Sequence, residues 1–414
     1  MNKNTVYQII FAFFLLTSDC HALWGMTGLK SWYHTLIGFY SNKEAPKKFD
    51  TSQLPRTTLP PRKLPPVALA EPTYLQRIWQ WFGFAKKHLK TTQTPMYDTT
   101  KAPLGIKNSG NTCYINTAAQ ALLTPMVAMA ITEENRNPNF EQDPLVKNYR
   151  ELALAMIMSK HKESLNATEL CATIRKSMGT EDNAQDDASE CMLTIIDRLA
   201  NLEVQKESSL DHAYKPKITK LFTTHYKVRS TCQQCHNTFG KLEKEKTIPL
   251  AITAPNFDEC LGSYFAPEHR TGDNKVHCDV CQENTERSVT KRIKKAPQVL
   301  ITTLKIFDYS MGSAKKNNSG VTFPLEFLDL AQYMTKKSKS LYALKSIAFH
   351  HGKELSRGHY TAYVNTENGW YHCDDTSVKP VEKNTIDQLQ ATGKPHKNQT
   401  PYVLVYEQVK DHVN

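Results

Sequence analysis

The chain has 414 residues, enough to bury the core of one large domain or of two ordinary ones. It carries a net charge of +11, spread diffusely rather than as one nucleic-acid-binding patch, and no apolar run of about 18 residues that would clearly span a bilayer. Its ten cysteines do not have the regular spacing of a small secreted disulfide scaffold.

Residues 1–22 have a basic start, an apolar stretch from Val6 to Leu16 and "CHA" as a cleavage site. That is the anatomy of a signal peptide, with a short membrane anchor or an ordinary buried helix as the alternatives. Residues 23–102 follow as a basic region, with twelve Lys/Arg against four Asp/Glu. Within it, 23–43 and 73–90 each combine tryptophans, a Gly-Phe pair and a basic end. This composition suits helices lying at a membrane surface, and equally helices packed on the main domain. Six prolines over 55–72 mark an extended linker between them.

A folded body is expected from 103 to 408, followed by a short tail, 409–414. "GNTCYINTAAQALL" (110–123) places Cys113 between a turn at Gly110-Asn111 and a helix whose apolar positions are Ile115, Ala118, Ala119, Leu122 and Leu123. A lone cysteine is more often buried and inert than reactive, but a thiol in the first turn of a helix feels unpaired N–H groups that favour its thiolate. Residues 184–200 set Ala188, Cys191, Met192, Ile195, Ile196 and Leu199 on one helical stripe. "CQQC" (232–235) and "HCDVC" (277–281) are two C-x-x-C pairs, 42 residues apart. Cys232, Cys235, Cys278 and Cys281 fit two hairpins joined at their tips by one zinc; the alternative is a pair of disulfides. After residue 295 the patterns are strand-like: "PQVLITTLKIF", "LYALKSIAFHH", "GHYTAYV", "WYHCDD" and "YVLVYEQ". Helices first and strands later imply an α+β fold with a mostly antiparallel sheet.

"RGHYTAYVNTENGWYHCDD" supplies a base and its orienter. A turn at Asn368-Gly369 folds His359 back toward the acidic pair. Pairing Val364 with Gly369 sets His359 opposite Asp374; pairing it with Trp370 sets His359 opposite Asp375, and the residues leave the choice open.

Taken together, "LGIKNSGNTCYINTAAQALL", "AQDDASE", the two C-x-x-C pairs, "PQVLITTLKIF", "GHYTAYV…GWYHCDD" and "YVLVYE" resemble, in order, the motifs of the ubiquitin-specific proteases. The resemblance runs over about three quarters of the chain, from 103 to 408. It implies a papain-like domain: a helical thumb against a mostly antiparallel β palm, with zinc-bearing β fingers at about 222–290. The family usually has Arg where this chain has Ile306, and short segments between motifs imply a near-minimal catalytic domain.

Carried over by resemblance, Cys113 is the nucleophile, His359 the general base, and Asp374 the residue that orients it, with Asp375 assisting. Asn108 helps bind the oxyanion, a role worth about 3 kcal/mol. Asp187 and Glu190 meet the arginines of the ubiquitin tail, and Tyr360 and Gly358 line the channel for its terminal Gly-Gly. The resemblance thus implies a thiol-dependent deubiquitinase with ubiquitin or ubiquitinated proteins as partners, a structural zinc and no catalytic cofactor. It is expected to act as a monomer, with no nucleic acid partner. The rival readings are a protease for another Gly-Gly-ended modifier and an inactive ubiquitin-binding scaffold, which the intact Cys, His, Asp and Asn disfavour. A membrane surface is a further expected partner, through residues 23–90. Two locations suit these features: export, as by a bacterial effector acting in a host cell, or a membrane anchor with the catalytic domain facing the cytosol.

Overall fold

The computed structural model describes residues 101–133, 141–158, 163–181, 183–204, 221–308, 315–336, 338, 340–353, 357–396 and 399–409. The expectations for the signal peptide or anchor (1–22), the linker and the Trp-rich segments (23–90), and most of the tail lie outside the described residues.

Among the described residues five helices come first: α1 (Cys113–Leu122), α2 (Pro125–Glu133), α3 (Pro144–Met158), α4 (Thr168–Met178) and α5 (Ala188–Val204). The stripe read from the sequence is the buried face of α5, with Ala188, Cys191, Met192, Ile195, Ile196 and Leu199 all at most 1% exposed. α1 differs from expectation. It is buried on every side, its polar residues Asn116, Thr117 and Gln120 included, because it packs against both α5 and the main sheet. Two of these amides donate to the incoming segment: Gln120 Nε2 to Leu104 O at 2.8 Å, and Asn116 Nδ2 to Ile106 O and Lys107 O at 3.4 Å.

Next come strands β1 (Thr224–Cys232), β2 (Thr238–Glu245) and β3 (Ile248–Ala251), then helix α6 (Phe257–Tyr264). Six short or medium strands follow: β4 (Glu268–Arg270), β5 (Val276–Cys278), β6 (Glu283–Thr285), β7 (Arg287–Lys295), β8 (Val299–Lys305) and β9 (Phe307–Asp308). The remainder is β10 (Lys315–Lys316), β11 (Leu328–Asp329), β12 (Leu341–His351), β13 (His359–Thr366), β14 (Gly369–Asp374), β15 (Ser377–Pro380), α7 (Lys383–Thr392) and β16 (Gln399–Gln408).

The main sheet runs β15-β14-β13-β12-β16-β8-β3, with β11 beside β12. All its ladders are antiparallel except β3–β8. β16 lies between β12 and β8 and is buried from Gln399 to Glu407. A central strand covered on both faces loses the alternation of a half-buried one, which is why "YVLVYE" reads as a continuous apolar run. A second sheet, β2-β1-β7-β4, and the hairpin β5-β6 form the finger region. Helices on a mostly antiparallel sheet with a separate β extension match the expected α+β architecture.

Candidate active site

The segment 108–112 delivers Cys113 to the start of α1. Gly110 (φ +95°) and Asn111 (φ +50°) both take the left-handed conformation, so the expected turn is present. The Asn108 side chain organises it: Oδ1 accepts from Gly110 N at 3.0 Å and Thr112 N at 3.2 Å. Arg175 donates to Gly110 O, and Asn111 Nδ2 to Asn183 O at 2.6 Å, fixing the loop from the α4 side. Cys113 is 2% exposed.

His359 begins β13, where its Nε2 and Asp374 Oδ1 lie 2.7 Å apart. The hydrogen bond with Cys113, followed by that with Asp374, raises the imidazole pKa to about 9 against the lowering effect of burial. Neither register considered from the sequence is correct. Thr366 pairs with Gly369 and Val364 with Tyr371, so the turn is Glu367-Asn368 and the ladder places Asp374 across from Thr361. Thr361 shares a face with His359, which makes Asp374 the diagonal neighbour of the imidazole, within reach of its side chain. Asp375 falls on the other side, in the turn Asp375-Thr376, with φ +49°.

Asp375 accordingly faces α1. Its two oxygens accept from Asn108 Nδ2 and Asn116 Nδ2, each at 2.8 Å, and its carbonyl accepts from Ile106 N at 2.8 Å. Asn116 is absent from the sequence-derived set. Its signal was a polar residue amid the apolar positions of α1.

Gln185, in the quoted but unassigned part of "AQDDASE", grips the residue before the base. Its Nε2 donates to Gly358 O at 2.7 Å, and its Oε1 accepts from Gly358 N at 2.9 Å. Gly358 has no room for a side chain, since a Cβ would lie 2.4 Å from both His350 Nε2 and His351 O. Asp187 is half-buried and caps α5: Oδ1 accepts from Ser189 N at 2.7 Å and Glu190 N at 2.9 Å, and Oδ2 accepts from Tyr402. Burial raises its pKa in spite of these donors. Glu190 is exposed on the first turn, its pKa raised by burial and by the charges of Asp186 and Asp187. Tyr360 is 2% exposed, its ring against those of His350 and Tyr402. Ile306 is fully buried.

The four finger cysteines converge as expected. Their sulfurs all lie within 4.8 Å of one another, with Cys232–Cys281 at 3.9 Å and Cys235–Cys278 at 3.7 Å. These separations are far beyond the roughly 2.05 Å of a disulfide, and all four are free thiols. The two pairs sit at the tips of β1–β2 and β5–β6 in equivalent turns. His236 N bonds to Cys232 O and Gln282 N to Cys278 O, and both His236 and Gln282 have φ +58°. The Thr285 hydroxyl and the Cys235 N–H hold the Cys232 pKa down to about 5, and the Cys281 N–H lowers that of Cys278. Four sulfurs so disposed form a donor set that zinc accepts.

Three comparisons bear on this geometry. The family model described as ubiquitin carboxyl-terminal hydrolase matches residues 104–406. The mouse ubiquitin carboxyl-terminal hydrolase 17-like protein C is 26% identical over 317 residues, 74% of this chain and 55% of that protein. The human 17-like protein 6 is 25% identical over 312 residues, 73% of this chain and 74% of that protein. The chain thus spans about half the length of most of these curated relatives. Among solved structures, the SAGA DUB module Ubp8/Sgf11/Sus1/Sgf73 bound to monoubiquitin aligns with a TM-score of 0.62 at 18% identity, covering 81% of this chain and 74% of that one. The same module bound to ubiquitin aldehyde aligns with a TM-score of 0.62 at 20% identity, covering 80% and 74%. These structures share the fold. With a family model matched over most of its length, the chain belongs to the ubiquitin carboxyl-terminal hydrolase family.

Proposed function

We propose that this chain is a thiol-dependent deubiquitinase that hydrolyses the peptide or isopeptide bond after the terminal Gly of ubiquitin. The observation that carries the reading is His359, hydrogen-bonded to Asp374 and with its pKa raised chiefly by Cys113. Cys113 Sγ attacks the scissile carbonyl carbon and the electron pair moves onto its oxygen. Asn108, aimed by Asp375, donates to that oxyanion together with the N–H groups at the start of α1. The C–N bond then breaks, and His359 gives its proton to the leaving amine. Water attacks the resulting thioester with His359 as base, releasing the ubiquitin carboxylate and the free thiol.

Glu190 is exposed and uncommitted to a cap, so it contributes the larger share of pairing with the arginines of the ubiquitin tail. Asp187 has one lone-pair direction left after its three donors. Gly358 and Tyr360 border the path of the terminal glycines. Cys232, Cys235, Cys278 and Cys281 hold one structural zinc that fixes the finger hairpins; four thiolates leave no open coordination position for catalysis. The enzyme acts as a monomer. Residues 1–22 direct export and 23–90 bind an anionic membrane surface, as their short apolar core and basic Trp-rich composition support. Flotation of 23–414 and of 103–414 with anionic liposomes tests that role, and equal flotation removes it.

The central test is incubation with ubiquitin bearing a C-terminal electrophile, followed by mass mapping. A single adduct on Cys113, lost in Cys113→Ala, is the expected result. No adduct on folded protein, or an adduct on another cysteine, overturns the assignment. Reaction with a different Gly-Gly-ended modifier in preference to ubiquitin would establish the alternative substrate.

A further inference from the structure

Lys316 is buried, only 8% exposed, and none of the ion pairs among the described residues includes it. Its ammonium has three protons and meets three acceptors: His350 Nδ1 at 2.8 Å, His350 O at 3.1 Å and Gly352 O at 2.8 Å. Removing an ammonium from water without a carboxylate partner is costly, and here burial lowers its pKa to about 8, with the Lys394 charge adding to the effect. An apolar side chain would fill the position at lower cost, so the arrangement calls for a role in what its acceptors support.

Those acceptors underlie the approach to the base. His350 is the penultimate residue of β12; His351, the last, pairs with His359 across the β12–β13 ladder. The His350 ring is fully buried between the rings of Phe307 and Tyr360, and its Nε2 lies where a Cβ on Gly358 would sit. Gly352 runs against the same segment: a Cβ there would meet Arg357 O at 2.9 Å and Gly358 Cα at 3.1 Å. Gly358 is therefore held between the Gln185 amide on one side and His350 with Gly352 on the other, and His359 is the next residue.

We infer that Lys316 is a positioning residue for His359: its three hydrogen bonds lock His350 and Gly352, which set Gly358 and with it the general base. The lock also fixes a tautomer. A lysine donating to Nδ1 requires the proton of neutral His350 to be on Nε2. The inference rests on the proposed thiol hydrolysis, and its test separates the two.

The experiment compares full-length wild type, Lys316→Met, His350→Phe and the double variant. Three readouts are steady-state hydrolysis of a ubiquitin–coumarin amide, ubiquitin affinity in a Cys113→Ala background, and the pH dependence of Cys113 alkylation by iodoacetamide. Lys316→Met is expected to lower kcat about 10- to 100-fold, the range for a misaligned reacting group. Ubiquitin affinity should change by less than about threefold, and the alkylation midpoint should move as His359 leaves the sulfur. Because His350→Phe keeps the ring but removes the acceptor, the double variant should be no slower than Lys316→Met alone. A folded Lys316→Met with unchanged kcat and alkylation midpoint overturns the inference, as do additive losses in the double variant. Should Lys316→Met not fold, the nitrogen-15 spectrum of histidine-labelled wild type decides: an Nε2–H tautomer for His350 supports the lock, and an Nδ1–H tautomer refutes it. Wild type without turnover or electrophile adduct would instead refute the hydrolase reading.

Discussion

Replacing Asp375 by alanine separates two neighbouring carboxylates that the sequence alone cannot rank. Asp375 accepts one hydrogen bond from Asn108 and one from Asn116, both at 2.8 Å. A hydrogen bond to a charged acceptor contributes about 1.5–3 kcal/mol. Asn116 is 2% exposed and would keep only two contacts of 3.4 Å, to Ile106 O and Lys107 O, so most of its share is lost from stability. That is a cost of about 2–3 kcal/mol, or a drop in Tm of about 3–5 °C for a domain of this size. The exposed Asn108 amide can turn to water at little cost in stability, but it loses its aim; a missing oxyanion donor costs about 3 kcal/mol, near 100-fold in kcat.

Asp374→Ala should behave differently. It removes one bond of 2.7 Å between side chains about two-fifths exposed, so solvent screening places the loss near the lower end, about 1.5–2 kcal/mol and about 10- to 30-fold in kcat, with little change in Tm. The pH profile separates the pair. His359 is protonated up to about pH 9 through Cys113 first and Asp374 second. Removing Asp374 lowers its pKa toward 6.5, so the imidazolium is lost earlier and the alkaline limb of kcat/KM moves to lower pH. Removing Asp375 leaves that limb in place. Rates from about pH 6 to about pH 10, with thermal melts, measure both quantities. An alkaline limb that moves in Asp375→Ala and not in Asp374→Ala would refute the assignment of roles.

Wild type is expected to carry one equivalent of zinc, which Cys278→Ser should release, lowering Tm while leaving the alkaline limb of kcat/KM unmoved; metal-free, active wild type would refute a zinc site. Glu190→Arg should raise KM for ubiquitin at least about tenfold and spare a modifier whose tail lacks arginines, whereas Asp187→Ala should also cost about 1 kcal/mol of stability through the lost cap of α5. Burial lowers the pKa values of His350 to about 3 and His351 to about 4, below an ordinary 6.5. Their neutral forms therefore add stability that is complete above about pH 6.5 and lost as pH falls toward 3–4. Urea midpoints for wild type and His351→Gln check this, and an unchanged acid dependence in the variant would count against it.

Much of this site can be read from the chain because its parts are local. β12 begins and ends with "LYALKSIAFHH", and the stripe of α5 and the two cysteine knuckles each follow from short-range spacing. The hairpin register does not. An Asn-Gly pair favours a turn centred on itself, but here Thr366 Oγ1 accepts from Asn368 N and Gly369 (φ +110°) already pairs with Thr366, shifting the turn one residue back. That shift keeps Asp374 on the His359 face but moves it from across Tyr363 to across Thr361, one step nearer the imidazole. The polar side of α1 was equally illegible, since Asn116 and Gln120 look like a solvated face until the incoming 104–108 segment and Asp375 cover them.

Cys113 belongs to a helix and His359 and Asp374 to the sheet, so their alignment is a property of the seam between two layers. Five polar ties cross that seam close to the reacting groups: Asn108 to Asp375, Asn116 to Asp375, Gln185 to Gly358, Tyr402 to Asp187, and Ser189 with Thr303. Apolar packing alone would hold the layers together, but it tolerates small slides because dispersion is non-directional and cores accept repacking. Hydrogen bonds weaken steeply with angle and distance, so each tie penalises a slide that packing would absorb. A nucleophile and base that must meet within about 1 Å of their working geometry need that penalty. The polar residues in this otherwise apolar junction are thus explained by registration of the layers, and the same reasoning places Lys316 beneath Gly358, on the side of the base that the seam itself does not reach.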